Sequence, residues 1–297
     1  MPRSVFAVVA AVVIAGGAAE SQQPPPAVQS LRPDQVGAFV WHDLVTANPS
    51  SARLFYGSLF GWTFEEGDGI DPGYTIIRHE GRPIGGVVPR PANEAGSTNA
   101  QWLTYITVAD VDKAATAVLR AGGRIFRGPL NARRDLRVAV VVDPQGAALG
   151  LASRGPALAE ESPPALHRWL WMEYVARDPA AALKFYGDVV GFSHLVHQTR
   201  DTFVYYLLST DRPRAGLFRS LWDRDTSVWL PYVRVADPAE AAARAVALGG
   251  RVVLPPGPTV RNGSLAIVLD PAGVAPEVYA LAYGAVIATA RKSWNLE

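Results

Sequence analysis

Two acids stand at matching places in two related segments: Asp43 in WHDLV and Glu173 in WMEYV, separated by 173 − 43 = 130 residues. In an extended strand, alternation sends Trp41, Asp43 and Val45 to one face and Val40, His42 and Leu44 to the other. The second segment sends Trp171, Glu173 and Val175 to the matching face. A carboxylate that faces a cavity can serve as a general acid or base, because burial raises its pKa toward neutrality. The bland alternative is a strand-end carboxylate paired with an arginine. His42 corresponds to Met172, so its face is expected to pack on a helix. His194 and His197 lie three apart, which reverses the face in a strand, so they are not expected to chelate together and are read as exposed. His79 and His167 fall in a turn and a linker.

Other chemistries are excluded by what the chain lacks. There is no Cys among 297 residues, which removes disulfides, thiolate nucleophiles and cysteine metal sites. No GxGxxG, GxxxxGK[ST], GxSxG or HExxH occurs, so nucleotide-loop, serine-hydrolase and zincin readings fall away. Twenty-eight basic residues balance 27 acidic ones, for a net charge of +1 and a pI near 8.0. No single-sign field exists to hold nucleic acid. A hydrophobic content of 49% over this length suits two packed domains.

The chain opens with Arg3, an apolar run from Val5 to Ala15 and small residues to Ala19, the order of a secretory signal. Cleavage is expected after Ala19, leaving no integral membrane span and a secreted or periplasmic chain; an uncleaved anchor is the alternative. QQPPPAVQS follows as a polar tether over 20–35, and folding is expected from Val36.

The elements that would position the two acids repeat. WHDLVTANPSSARLFYGSLFGW from Trp41 matches WMEYVARDPAAALKFYGDVVGF from Trp171 at the same offset of 130, without a gap. A second pair, YITVADVDKAATAVLRAGGRIF from Tyr105 and YVRVADPAEAAARAVALGGRVV from Tyr232, is offset by 232 − 105 = 127, as are DPQG at Asp143 and DPAG at Asp270. Each unit reads as a strand, a capped helix, a Gly-bounded turn and three short strands. Asn48, Asp110, Asp178 and Asp237 take the N-cap positions. Ala52, Phe55, Tyr56 and Leu59 form one helical stripe, so Phe55 and its counterpart Phe185 are read as core anchors, with Gly57, Gly61, Gly187 and Gly191 ending the helices.

Four such units carrying FYG…GW and DPxG resemble the vicinal oxygen chelate superfamily of glyoxalases, extradiol dioxygenases and bleomycin-resistance proteins. The resemblance covers about 38 to 283 and implies an α+β fold: four βαβββ units forming two tandem glyoxalase-like domains with curved mixed sheets. The expected boundaries are a signal over 1–19, the tether, domains over 36–155 and 167–285 joined by a linker over 156–166, and a tail over 286–297. It also implies a divalent metal held by His, Gln or Glu on the first strands, seven residues before each cap, and on a last strand. Those first-strand positions hold Trp41, Leu103, Trp171 and Leu230, none of which ligates a metal. The last-strand position, seven after the Asp of DPxG, holds Gly150 in the first domain and Glu277 in the second.

Glu173 and Glu277 are therefore the expected acid/base pair, and Glu277 with Glu173 is the one expected metal-binding combination. Trp41, Asp43, Tyr105, Trp171 and Tyr232 are the expected ligand-binding residues, with Trp102 and Trp229 as further aromatic lining; core packing explains most of these aromatic residues equally well. Loops at Ala132 and Pro255 are candidate gates over the two pockets. The expected function is binding or sequestration of a small, planar or apolar molecule, or a metal-independent activity, by a monomer or homodimer with no cofactor. The alternative is a divalent-metal-dependent lyase, isomerase or dioxygenase acting on a small oxygenated substrate.

Overall fold

A computed structural model describes residues 36–67, 73–90, 101–133, 136–153, 164–200, 203–220, 227–258, 261–271 and 280–283. The leader, the tether before Val36, the last 14 residues and Glu277 lie outside the described residues.

The first unit runs β1 (Phe39–Thr46), α1 (Pro49–Phe60), β2 (Thr63–Glu66), β3 (Thr75–His79) and β4 (Arg82–Pro89). The second runs β5 (Gln101–Thr107), α2 (Val111–Arg120), β6 (Arg124–Arg133), β7 (Leu136–Val142) and β8 (Ala148–Ala152). The third runs β9 (Trp169–Ala176), α3 (Pro179–Val190), β10 (Ser193–Arg200), β11 (Phe203–Ser209) and β12 (Pro213–Arg219). The fourth runs β13 (Val228–Arg234), α4 (Pro238–Ala247), β14 (Arg251–Leu254), β15 (Leu265–Leu269) and β16 (Ala280–Tyr283), with a 3-10 turn at Arg261–Gly263. Asn48, Asp110, Asp178 and Asp237 cap the four helices, each side chain accepting from a backbone N–H of the first turn. Gly61 and Gly191 end α1 and α3 with φ of 70° and 87°, left-handed values that favour glycine.

Units pair to give two eight-stranded mixed sheets of the same order, β2-β3-β4-β1-β5-β8-β7-β6 and β10-β11-β12-β9-β13-β16-β15-β14. The two central strands are antiparallel in each case, β1 with β5 and β9 with β13. Each flanking strand is parallel to its neighbour, as β4 is to β1 and β12 to β9. The fold is thus the α+β arrangement of βαβββ units that the residue pattern implies.

The helices join the two sheets. α2 packs on α3 and α1 on α4, so each helix of the first half meets one from the second. One core gathers Val111, Ala114 and Val118 with Ala182, Phe185 and Val189; another gathers Ala52, Phe55 and Leu59 with Ala241 and Ala245. Both Gly-Gly-Arg turns make room for this. A Cβ on Gly123 would stand 3.1 Å from the Phe185 ring, and one on Gly250 would stand 2.8 Å from the Phe55 ring.

Hydrogen bonds cross the same seam. The Tyr186 hydroxyl donates to Asp143 Oδ2 at 2.8 Å, Tyr174 donates to the same oxygen, and Trp229 Nε1 donates to the Tyr186 hydroxyl at 2.8 Å. Asp143 Oδ1 takes the backbone N–H groups of Gln145 and Ala147. Reciprocally, Tyr56 donates to Asp270 at 3.3 Å and Trp102 Nε1 to the Tyr56 hydroxyl at 3.3 Å. The FYG tyrosine of each half therefore binds the DPxG aspartate of the other. Gln145 adds bonds to both backbone groups of Asp178 at 2.7 and 2.8 Å. Burial first, then the charge of Asp143, pushes Tyr174 and Tyr186 well above the ordinary tyrosine range, so both remain donors at neutral pH.

Asp143→Ala would strand two buried hydroxyls and two backbone N–H groups. It is expected to lower unfolding free energy in urea by about 3 kcal/mol or more. Asp112→Ala, which breaks an exposed pair with Arg137, should change it by less than about 1 kcal/mol. Equal losses for the two variants would mean that the seam does not carry the fold.

Candidate functional site

On the face of the second sheet away from its helices, β9 presents Trp171, Glu173 and Val175. Glu173 is 1% exposed and accepts three hydrogen bonds. The Tyr205 hydroxyl donates to Oε1 at 2.8 Å, Tyr232 donates to Oε2, and the Arg261 guanidinium donates to Oε1. Trp171 Nε1 donates to the Tyr205 hydroxyl at 3.2 Å.

The sheet register assembles this group. β13 sets Leu230 opposite Glu173 and Tyr232 opposite Trp171, while β12 sets Gly216 beside Glu173. A Cβ on Gly216 would lie 1.9 Å from the Tyr205 hydroxyl, so glycine is what lets that hydroxyl reach the carboxylate. Arg261 comes from the 3-10 turn ahead of β15, with its guanidinium carbon 5.3 Å from the Tyr205 ring centre and 6.0 Å from that of Tyr232. Its side chain stays 33% exposed. Burial, reinforced by the Glu173 charge and opposed by Arg261, raises both tyrosines far above their ordinary value. Both hydroxyls are therefore protonated donors at neutral pH.

The first sheet carries a parallel arrangement. Asp43 Oδ1 accepts from Trp41 Nε1 at 2.8 Å and from the Tyr74 hydroxyl at 2.9 Å, and Tyr105 also hydrogen-bonds Asp43. Gly86 stands beside Asp43 on β4, and a Cβ there would lie 2.0 Å from the Tyr74 hydroxyl. A Cβ on Gly150 would lie 2.2 Å from the Tyr105 ring. Arg127 is close enough to offset part of the upward shift that burial gives Tyr105. Each sheet thus holds one acid, two tyrosines, a tryptophan and a nearby arginine.

Asp43, Trp41 and Tyr105 come together as a group, and so do Glu173, Trp171 and Tyr232. Tyr74, Tyr205 and Arg261 complete these groups, although sequence reasoning did not single them out. The two added tyrosines are equivalent in register, each two residues before the residue that pairs with Gly86 or Gly216. Their sequence offset is 205 − 74 = 131, one more than the 130 of the preceding helix, which hides the match. Trp102 and Trp229 do not line these groups. They lie three residues from Tyr105 and Tyr232, hence on the opposite face, where each donates to an FYG tyrosine. His42 also faces the helices: its Nδ1 lies 3.0 Å from the Thr104 hydroxyl, its ring packs on Trp169, and burial pushes its pKa down to about 3. His194 and His197 are exposed and approach Tyr206 and Tyr205, on opposite faces of β11.

The superfamily's metal does not fit the donor set described here. Leu103 and Leu230 are buried, the Trp41 and Trp171 rings lie among the tyrosines, and indole and alkyl groups offer no lone pair to a cation. Among the described residues no group of three His, Asp or Glu could hold an ion.

Comparison with known proteins agrees with the fold. Residues 168–278 match the model of the Glyoxalase/Bleomycin resistance protein/Dioxygenase superfamily. CFP32 of Mycobacterium tuberculosis (strain CDC 1551 / Oshkosh), provisionally named a glyoxylase, is 31% identical over 243 residues, covering 78% of this chain and 90% of that protein. The anthracycline biosynthesis protein DnrV of Streptomyces peucetius is 28% identical over 264 residues, covering 84% and 94%. Among solved structures, a variant of homoprotocatechuate 2,3-dioxygenase from Brevibacterium fuscum aligns with a TM-score of 0.57 at 15% identity, covering 88% of this chain and 74% of that one. The Mn(II)-bound glyoxalase from Novosphingobium aromaticivorans aligns with a TM-score of 0.54 at 14% identity, covering 84% and 82%. With its fold, its duplicated turns and a relative at 31% identity across most of both lengths, the chain belongs to the Glyoxalase/Bleomycin resistance protein/Dioxygenase superfamily.

Proposed function

We propose that the chain binds a small, planar, oxygen-bearing molecule on the face of each sheet opposite the helices, without a metal at the first-strand positions. One observation carries this reading. Where the superfamily's first-strand ligands are expected, the chain has Trp on β1 and β9 and Leu on β5 and β13, and the next residue on the same face of β1 and of β9 is a carboxylate already engaged by tyrosine hydroxyls. Indole and phenol rings supply stacking surface, and Arg261 supplies a donor for a ligand oxygen. Relatives named for anthracycline biosynthesis support a planar aromatic ligand class. In this reading Glu173 keeps Tyr205, Tyr232 and Arg261 in place. A proton-transfer role for Glu173 with Glu277 follows only if the ligand is also turned over.

The metal-dependent lyase, isomerase or dioxygenase is the second reading, favoured by the likeness to a Mn(II)-bound glyoxalase. It rests on Glu277 joining Glu173. We also propose that the chain is exported and processed near Ala19; sequencing the exported chain from its N-terminus should begin near Glu20, and a start at Met1 or Pro2 would refute processing.

Tryptophan quenching by a planar polycyclic quinone, in EDTA-treated protein, tests the binding reading. Saturable binding is expected without added metal. Gly216→Ala, which drives the Tyr205 hydroxyl off Glu173, should weaken it by about tenfold, the cost of one misplaced charged hydrogen bond. Binding that appears only after Mn(II), Fe(II), Ni(II) or Zn(II) is restored would favour the second reading.

A further inference from the structure

A second cluster of lone-pair donors lies at the seam between the halves, away from both carboxylate groups. His79 ends β3 and is 9% exposed, and its Nδ1 is buried with no hydrogen-bond partner among the described residues. His167 precedes β9, with its ring centre 5.9 Å from that of His79 at an interplanar angle of 67°.

His167 is held firmly. Its backbone N–H donates to the Arg234 carbonyl at 2.6 Å, its carbonyl accepts from Trp62 Nε1 at 2.8 Å, and it takes a φ of 62°, rare for a residue with a Cβ. One ring N–H donates to the carbonyl of Phe60, the last residue of α1. That leaves the lone pair on the other ring nitrogen, the usual arrangement of a metal-bound imidazole whose second nitrogen is tied to a backbone carbonyl. Two imidazoles sharing one ion at about 2.0–2.1 Å place their ring centres roughly 5 to 6.5 Å apart. The spacing here lies in that range.

We infer that His79 and His167 form a two-imidazole site for a borderline divalent ion, Cu(II), Ni(II) or Zn(II), which clamps the segment leading into the second sheet onto the end of β3. Imidazole nitrogen suits these ions over Mg(II) or Mn(II), and water fills the remaining positions. The site shares no residue with the superfamily's metal position and is independent of the ligand proposed above.

The test is equilibrium dialysis of the tag-free mature chain against Ni(II), with bound metal counted by mass spectrometry, and a Cu(II) paramagnetic resonance spectrum of the wild type. The expected result is about one equivalent per chain and coupling to two imidazole nitrogens. His79→Ala and His167→Ala should each weaken binding by roughly tenfold or more, whereas His194→Ala and Glu277→Ala should leave it unchanged. If His79→Ala fails to fold, His167→Ala and the wild-type spectrum decide. No retained metal, retention unaffected by His167→Ala, loss in Glu277→Ala, or a spectrum without two nitrogens would overturn the inference.

Discussion

The structure depends on a reciprocal bond: a tyrosine of each half donates to a buried aspartate of the other, Tyr186 to Asp143 and Tyr56 to Asp270. An unpaired carboxylate at such depth would be costly, so each half supplies what the other needs to bury its DPxG turn. The phenylalanine beside each tyrosine fills the space over the opposite Gly-Gly-Arg turn. The aromatic-Gly phrase therefore occurs twice because each copy completes a core and a hydrogen-bond network begun in the other half. The two networks are not equal: Asp143 also receives Tyr174, where the first half has Leu44, and Gln145 ties into Asp178.

With the helices facing inward at the seam, the opposite sheet faces are available for a site. Alternation places Trp41 and Asp43, and Trp171 and Glu173, on those faces. Glycines at 86 and 216 open the space into which a tyrosine hydroxyl reaches. The same register that forms each sheet thus sets a carboxylate among tyrosine hydroxyls and an indole on that face.

Much of this was legible in the sequence because it is local or periodic. Caps at Asn48, Asp110, Asp178 and Asp237, the stripe through Phe55 and Tyr56, and the faces of Asp43, His42 and Glu173 follow from nearest-neighbour rules. What escaped depends on registers and loops. Tyr74 and Tyr205 are displaced by one residue relative to the helices before them. Arg261 arrives from a turn whose course no periodicity sets. Residue type groups Trp102 and Trp229 with Tyr105 and Tyr232 in a ligand lining, whereas parity turns them to the helix face and into the core, the other reading their type allows. The cross-seam pairs join residues 43 and 214 positions apart, which a single sequence does not connect.

In the function proposed for it, the face bearing Glu173 binds its ligand without a metal. Anomalous diffraction from crystals grown with Mn(II) addresses it directly. Metal-free binding predicts no Mn(II) peak within bonding distance of the Glu173 carboxylate, with Tyr205, Tyr232 and Arg261 still on its oxygens. A full-occupancy peak bridging Glu173 and Glu277 would contradict it and restore a metal centre to the second sheet.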